Sequence, residues 1–444
     1  MEQKEDLFRD APIKKAVCQM AVPTVISSLV LVIYNMADTF FIGQTQDALQ
    51  VAAVSLTNAV FVMYMAAAQL LGIGGSAFIS IRLGLGDKDS VKAASAFCFY
   101  GSLLLGVAAG AAIILFMEPL LLLLGSNEGT YQYAKDYLYY IALGAPFILL
   151  ANTFGHAVRG EGASKASMIG GMLGTVINII LDPVFISVLN MGTAGAAIAT
   201  VLGNVAGCMY YIYYLTGKSQ FMSLKIQYLK DCTGIAGRVL SVGVPAGINS
   251  ALMSIATVLL NNYLVPYGDT AVAAMGVVTK VYLFIVFIHM GISNGIQPLL
   301  GYCYGAGNRG RFMGILKFSG ILTLLCGSIL TACYIIFSRQ IMGVFIDDAE
   351  VIQYGVAMLI AASLAGPVLG LMFLAINSMQ ALDCPLPATI LSLCRQGLFF
   401  IPLLFILNKA FGLGGISFTQ TAADYLTIIV ALVLLFFSIR KKMI

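Results

Sequence analysis

The sequence predicts an all-α polytopic membrane protein with twelve transmembrane helices in two six-helix lobes. First, 60% of its 444 residues are hydrophobic and 10% are charged, whereas a soluble domain carries about 25% charged residues. Second, apolar runs recur along the whole chain, and many of them are as long as one span requires, which is about 20 residues. Third, short motifs of the first half recur in the second half at a nearly constant spacing. This composition excludes a soluble globular protein, a disordered chain and a nucleic-acid binder.

The twelve predicted spans are apolar runs that end at glycine, proline or clusters of charge. They cover residues 16–43, 51–82, 93–117, 137–158, 166–190, 194–215, 235–264, 270–302, 312–337, 351–378, 387–408 and 414–438. With the N-terminus inside, the outer loops hold only Lys135, Arg339 and Lys409 of the basic residues. This bias obeys the positive-inside rule. It predicts a multi-pass protein of the cell membrane with both termini in the cytoplasm, and a leader without a removable signal peptide.

Matches at this spacing indicate that the two halves of the chain are repeats. The matches are Val51-Ala52-Ala53 with Val272-Ala273-Ala274, Pro146 with Pro367, and Pro23 with Pro245. An even number of spans in each half implies parallel repeats about an axis along the membrane normal. We therefore predict an N-terminal lobe at 1–215, a cytoplasmic linker at 216–234 and a C-terminal lobe at 235–444.

In the N-terminal half, two acidic residues lie inside predicted spans, where a charge is costly and usually functional. Asp38 lies on the first span, and Asp182 lies on the fifth, four residues after Asn178 and so on the same helix face. At about 1.5 Å per residue, Asp38, Asp182 and Thr200 all lie roughly 7–12 Å below the outer surface. Two carboxylates, an amide and a hydroxyl form an oxygen-rich site that suits a proton or a small cation such as Na⁺. The alternative is that the two aspartates only brace helices.

The C-terminal half carries a different set of embedded polar residues. Lys280 and Asp424 lie about 15–16 Å deep, and we predict that they form an ion pair. The alternative is that one or both face an aqueous cavity. Arg395 is expected to extend its side chain towards the cytoplasm. His156 and His289 are isolated from each other, so we expect packed histidines and no metal site.

Several stretches together resemble the multidrug and toxic compound extrusion (MATE) transporters of the multidrug/oligosaccharidyl-lipid/polysaccharide flippase superfamily. They are Met36-Ala37-Asp38-Thr39-Phe40-Phe41-Ile42-Gly43, Arg159-Gly160-Glu161-Gly162-Ala163-Ser164-Lys165 and Asn178 with Asp182-Pro183. The resemblance covers nearly the whole chain. It implies a multidrug efflux antiporter that exports lipophilic organic cations and drugs in exchange for H⁺ or Na⁺ by alternating access. It also implies cation coupling by Asp38, Asn178, Asp182 and Thr200, with a substrate cavity near Tyr34, Asn152 and Pro23.

These expectations fix the predicted partners and leave one alternative function open. We expect cationic or amphipathic drugs and membrane lipids as partners, a monomer, no cofactor and a proton as the favoured coupling ion. The alternative is a flippase for lipid-linked precursors or another amphiphile, which would need a strongly cationic cavity. For that cavity the sequence offers only Lys280 and Arg395. An enzyme is not expected, because the chain has no His-Glu-x-x-His or Asp-rich prenyl-diphosphate motif.

Overall fold

A computed structural model describes residues 2–43, 47–231 and 234–443 of the chain. Within these ranges every regular element is helical. The α-helices are α1 (Glu2–Arg9), α2 (Ile13–Gly43), α3 (Ala48–Gly84), α4 (Lys88–Leu115), α5 (Met117–Leu123), α6 (Glu128–Gly160), α7 (Ser164–Pro183), α8 (Gly192–Gly217), α9 (Ile235–Leu264), α10 (Asp269–Gly305), α11 (Arg309–Ile336), α12 (Ser338–Phe345), α13 (Ala349–Ser363), α14 (Gly366–Ala381), α15 (Pro385–Leu393) and α16 (Phe400–Met443). Two π-helical turns, Val184–Val188 and Cys394–Phe399, follow α7 and α15.

The long helices account for the twelve predicted crossings. Among the described residues, ten helical segments are long and apolar enough to span a bilayer, and the pair α13–α14, bent by 45°, adds another. The segment Pro385–Met443 has 59 residues. As one helix it would be roughly 90 Å long, about three times the thickness of the hydrocarbon core. It is broken at Gly412, whose φ of 58° and ψ of −137° are not helical. It therefore supplies two crossings, which brings the number to twelve.

The repeat that the sequence predicts is visible in two equivalent turns, one in each half of the chain. Gly86 and Gly307, which the repeat spacing relates to each other, both adopt positive φ, at 76° and 67°. This left-handed conformation is one that glycine adopts without steric cost. The next residue in each half, Asp87 or Asn308, caps the following helix by accepting a backbone N–H with its side chain. The short helices α5 and α12, which the sequence did not predict, begin at positions related by the same spacing.

The chain divides into two compact units whose limits differ from the predicted lobes. The first unit is Met1–Asp6 with Leu29–Gly243, and the second is Leu7–Ser28 with Val244–Ile444. Both limits fall within a span, since α2 and α9 each contribute to both units. In the second unit, a Cβ on Gly295 would lie 2.7 Å from the Met20 carbonyl oxygen, so the start of α2 packs closely on α10.

The predicted linker packs on the first unit. The carboxylate of Glu161, itself fully buried, accepts hydrogen bonds from Ser219 Oγ at 2.8 Å and from the backbone N–H of Gln220 at 3.2 Å. Phe221 is buried in a hydrophobic core cluster of the same unit. Tertiary contacts thus hold Ser219, Gln220 and Phe221 of the predicted linker against the first unit.

Candidate functional site

Helices α7 and α8 pack backbone to backbone through facing glycines. Gly170 and Gly174 are four residues apart on α7, as are Gly203 and Gly207 on α8. A Cβ on Gly174 would lie 2.8 Å from the Gly203 carbonyl oxygen, and a Cβ on Gly203 would lie 2.5 Å from that of Gly174. Small residues at this spacing let membrane helices approach closely. The approach brings the next polar turns of the two helices into contact.

Those turns hold a buried polar cluster. Asn178 Nδ2 donates to Asp182 Oδ1 at 3.3 Å and to Thr200 Oγ1 at 3.3 Å. Asn178, Asp182 and Thr200 are 2%, 0% and 2% exposed. The Tyr34 hydroxyl on α2 lies 3.4 Å from Thr200 Oγ1. The structure therefore brings together four of the residues that the sequence singled out.

The cluster presents oxygen atoms at an irregular helix end. Asn178 Oδ1 is buried and has no hydrogen-bond partner within the described residues. Leaving such a group unsatisfied costs about 1–3 kcal/mol. One turn later α7 ends at Pro183 and continues as the π-helical turn Val184–Val188, and π-helical turns are frequent at functional sites. A proton on a carboxyl group or a small cation would give the amide oxygen a partner.

The remaining predicted residues of this site are placed as follows. Asp38 lies on α2, but its side chain is outside the described residues. Asn152 Nδ2 donates to the Ile148 carbonyl of its own helix at 2.8 Å. Pro23 belongs to the second unit, so its place near the substrate remains a prediction. Asn204, which the sequence analysis missed, donates to the Thr200 carbonyl at 2.8 Å. Its position one turn after Thr200 was the available signal.

The second unit contains a buried ion pair that differs from the predicted one. Asp424 Oδ1 accepts from Arg395 Nε at 2.9 Å and from Gln420 Nε2 at 3.0 Å. Arg395 and Asp424 are 2% and 1% exposed, whereas Lys280 is exposed. The predicted Lys280–Asp424 pair is therefore wrong, as is the expectation that Arg395 extends to the cytoplasm. Equal depth does not fix the helix face, and Tyr282, two residues after Lys280, is the residue of α10 that contacts Asp424.

The two histidines are packed within the helix bundle. His289 lies between the carbonyl oxygens of Ile285, at 2.8 Å, and Thr323, at 3.2 Å. His156 Nδ1 lies 3.4 Å from an Nη of Arg159. Across the described ranges, no three His, Cys, Asp or Glu side chains cluster in a way that could hold a metal ion.

Gly203→Ala is expected to separate α7 from α8 and to weaken the cluster. The new methyl group would lie 2.5 Å from the Gly174 carbonyl oxygen, and overpacking of this kind typically costs about 1–3 kcal/mol. The matched control is Gly171→Ala, whose Cβ would meet only the Tyr211 hydroxyl, at 3.9 Å. Thermal unfolding of the purified protein in detergent should give a lower midpoint for Gly203→Ala alone. Equal midpoints would contradict the close approach.

Comparison with known proteins agrees with this architecture. The sequence profile of the MatE family matches the chain twice, over residues 23–184 and 245–406. Multidrug export protein MepA of Staphylococcus saprophyticus is 32% identical over 432 residues, which is 97% of this chain and 95% of that protein. Among solved structures, a MATE protein in complex with MaL6 superposes with a TM-score of 0.93 at 23% identity, covering 99% of this chain and 98% of that one.

A second solved structure leads to the same fold. The outward-facing conformation of a multidrug resistance MATE family transporter superposes with a TM-score of 0.92 at 23% identity, again over 99% of this chain and 98% of that one. At this identity the solved structures establish the fold, while the double profile match and the MepA relative establish the family. The resemblance seen in the motifs is thus confirmed. The chain belongs to the MatE family, the multidrug and toxic compound extrusion transporters, which are membrane transporters and not enzymes.

Proposed function

We propose that this protein is a multidrug efflux antiporter that exports lipophilic organic cations and other amphipathic drugs in exchange for H⁺ or Na⁺. The observation that carries the proposal is the buried cluster of Asn178, Asp182 and Thr200 within a family of transporters. A carboxyl group buried in a membrane span is costly, and residues of this kind typically mark substrate or ion pathways and proton relays. Export of several drugs is supported by the relative MepA, which is named a multidrug export protein.

The coupling step follows from the contacts of Asp182. A proton taken up from the outside neutralises the carboxylate and changes its hydrogen bond with Asn178. Because Asn178 also donates to Thr200, and Thr200 lies beside the Tyr34 hydroxyl, the change reaches α2. We propose that α2 then shifts and expels the drug, and that release of the proton inside restores drug affinity. This cycle requires that proton and drug bind the two conformations with different affinities.

A proton fits the cluster better than Na⁺ does. A proton needs one carboxylate oxygen and one acceptor. Asp182 supplies the carboxylate, and the Asn178 amide, whose Nδ2 lies 3.3 Å from Asp182 Oδ1, has a buried Oδ1 without a partner among the described residues. Na⁺ would need a shell of oxygen ligands, of which Asp182, Asn178 and Thr200 would contribute three. We further propose that the protein lies in the cell membrane as a monomer among lipids, without a cofactor, and with both termini in the cytoplasm.

The flippase alternative is weakened by the ion pair in the second unit. A pyrophosphate headgroup needs an excess of positive charge, but Asp424 balances the charge of Arg395. Of the two cationic candidates, Arg395 is thus neutralised. Lys280 pairs with no carboxylate among the described residues.

Transport in proteoliposomes tests the proposal. The purified chain is reconstituted, and movement of ethidium is followed under a pH gradient alone and then under a Na⁺ gradient alone. We expect export driven by the pH gradient and no more than background movement under the Na⁺ gradient. Export driven only by Na⁺ would overturn the proton preference and keep the antiporter. No ethidium movement under either gradient would overturn the multidrug antiporter.

A further inference from the structure

A cavity of about 100 Å³ lies within the second unit, bordered by α9, α10, α16 and the π-helical turn Cys394–Phe399. Since one water needs about 10–15 Å³ of such a cavity, there is room for several waters or a group about the size of a small ring. Most of its lining is apolar, including Met253, Leu260, Val278 and Phe400. Such a cavity, mostly apolar with a few polar groups, is the usual form of a small-molecule site.

Polar side chains line one part of the cavity, and some of their hydrogen-bonding groups have no partner among the described residues. Arg395, Gln396, Tyr282 and Gln420 line it. Arg395 donates from Nε to Asp424, and its guanidinium lies 5.2 Å from the Phe373 ring. Its two Nη groups make no hydrogen bond with the described residues. Gln396 is 4% exposed, and its Oε1 has no partner among those residues. Donors and an acceptor therefore border the same small space.

The backbone places these groups there by an irregular turn. Arg395 and Gln396 are consecutive in the π-helical turn, and both line the cavity. The spacing that relates Gly86 to Gly307 also relates Gly174 to Arg395, and at Gly174 the first unit closes its helices backbone to backbone. At the equivalent point, the second unit has an arginine and a cavity. The first unit is regular α-helix at Gly174, and its own π-helical turn comes later, at Val184–Val188. Because π-helical turns are rare and concentrate at functional sites, the position of this turn beside the cavity points to binding.

We propose that this cavity binds the hydrogen-bond-accepting end of an amphipathic ligand, namely an uncharged ketone, ester or amide carbonyl on a small apolar ring. Asp424 already balances Arg395, so a carboxylate would bring an uncompensated negative charge into a buried site. A neutral carbonyl accepts from the guanidinium without that cost. The inference rests on the proposed drug export for its physiological meaning, and it adds a class of substrate in which a carbonyl is recognised.

The test measures binding directly, without transport. The chain is placed in lipid nanodiscs, and fluorine NMR follows para-fluoroacetophenone and para-fluoro-α-methylstyrene. These two molecules have the same shape and differ in having C=O or C=CH₂. Empty nanodiscs give the background of partitioning into lipid. We expect the ketone to bind saturably and about tenfold more tightly than the alkene, because a hydrogen bond to a charged donor is worth about that factor.

Two variants locate the binding. Ala256→Met fills the cavity from its apolar side and should abolish binding of both probes. The double variant Arg395→Met with Asp424→Leu removes the donor together with its counter-charge, which a folded protein tolerates far better than a single removal. It should bind the ketone about tenfold more weakly and the alkene unchanged. The proposal is overturned if the unaltered chain binds both probes equally, if Ala256→Met still binds them, or if the double variant still prefers the ketone.

Ethidium export by the same preparation separates this inference from the proposed function. Ethidium carries no carbonyl, so its export tests the antiporter and not the cavity. Export without ketone preference contradicts the cavity proposal alone. Ketone preference without export under either gradient contradicts the antiporter alone.

Discussion

Asp182→Asn should reduce gradient-driven ethidium export by about 100-fold. Typical coupling free energies correspond to factors of about 5–150, and this loss lies near the upper end of that range. The asparagine has the size of the aspartate and can still accept from Asn178, whose Nδ2 lies 3.3 Å from Asp182 Oδ1. It cannot take up a proton, and it removes the negative charge from a site that is 0% exposed. The loss should therefore be in coupling, while the protein remains folded. The measurement is export from proteoliposomes under an imposed pH gradient.

A matched control separates coupling from a general effect of losing an acid. Asp347 is exposed in the segment that joins α12 to α13. The Asp347→Asn variant should therefore export ethidium at the rate of the unaltered chain. Asp38→Asn, at the residue that sequence reasoning paired with Asp182, should lose export as Asp182→Asn does. Ethidium binding to Asp182→Asn should persist without a gradient. Normal gradient-driven export by this variant would move the coupling site away from the first unit.

The spans were predictable because each rests on a continuous local signal. The predicted span 235–264 has the same limits as α9, and Gly412 lies between the predicted spans 387–408 and 414–438. The helices α5 and α12 were missed, since a helix of 7 or 8 residues beside a longer apolar run is not distinct from that run in sequence. The limits of the compact units were not predictable in this way. They depend on contacts of the start of α2 with α10, far away in sequence.

The candidate site residues were likewise predictable only where local helical spacing or depth determines the contact. Asn178 and Asp182 meet because helical periodicity places residues four apart on one face, and Thr200 was identified because helical rise places it at the same depth. The error at Asp424 has a different origin. Depth gives one coordinate of a side chain and leaves the helix face open, and a π-helical turn changes which face Arg395 presents. A regular helical period in the sequence cannot register that turn.

Separating the buried Arg395–Asp424 pair should destabilise the fold more than removing it does. Arg395→Met alone leaves the Asp424 carboxylate, 1% exposed, with Gln420 and Tyr282 as its neutral donors among the described residues. Asp424→Leu alone leaves a buried guanidinium with the Phe373 ring as its described contact. Breaking a buried pair by removing one partner typically costs roughly 3–5 kcal/mol, whereas replacing both by apolar residues is often neutral or stabilising. The double variant should therefore recover most of the stability that either single variant loses.

Thermal unfolding in detergent checks this expectation, and Lys280 gives the decisive comparison. Because Lys280 is exposed and Asp424 already holds Arg395 at 2.9 Å, Lys280→Met should leave the unfolding midpoint close to that of the unaltered chain. Lys280→Met combined with Asp424→Leu should be as unstable as Asp424→Leu alone, since the unpaired guanidinium remains. Recovery in that combination, and not in Arg395→Met with Asp424→Leu, would restore the pair that depth alone predicted. If stability recovers only when Asp424→Leu is combined with Arg395→Met, the charge that balances Asp424 is that of Arg395 in the π-helical turn.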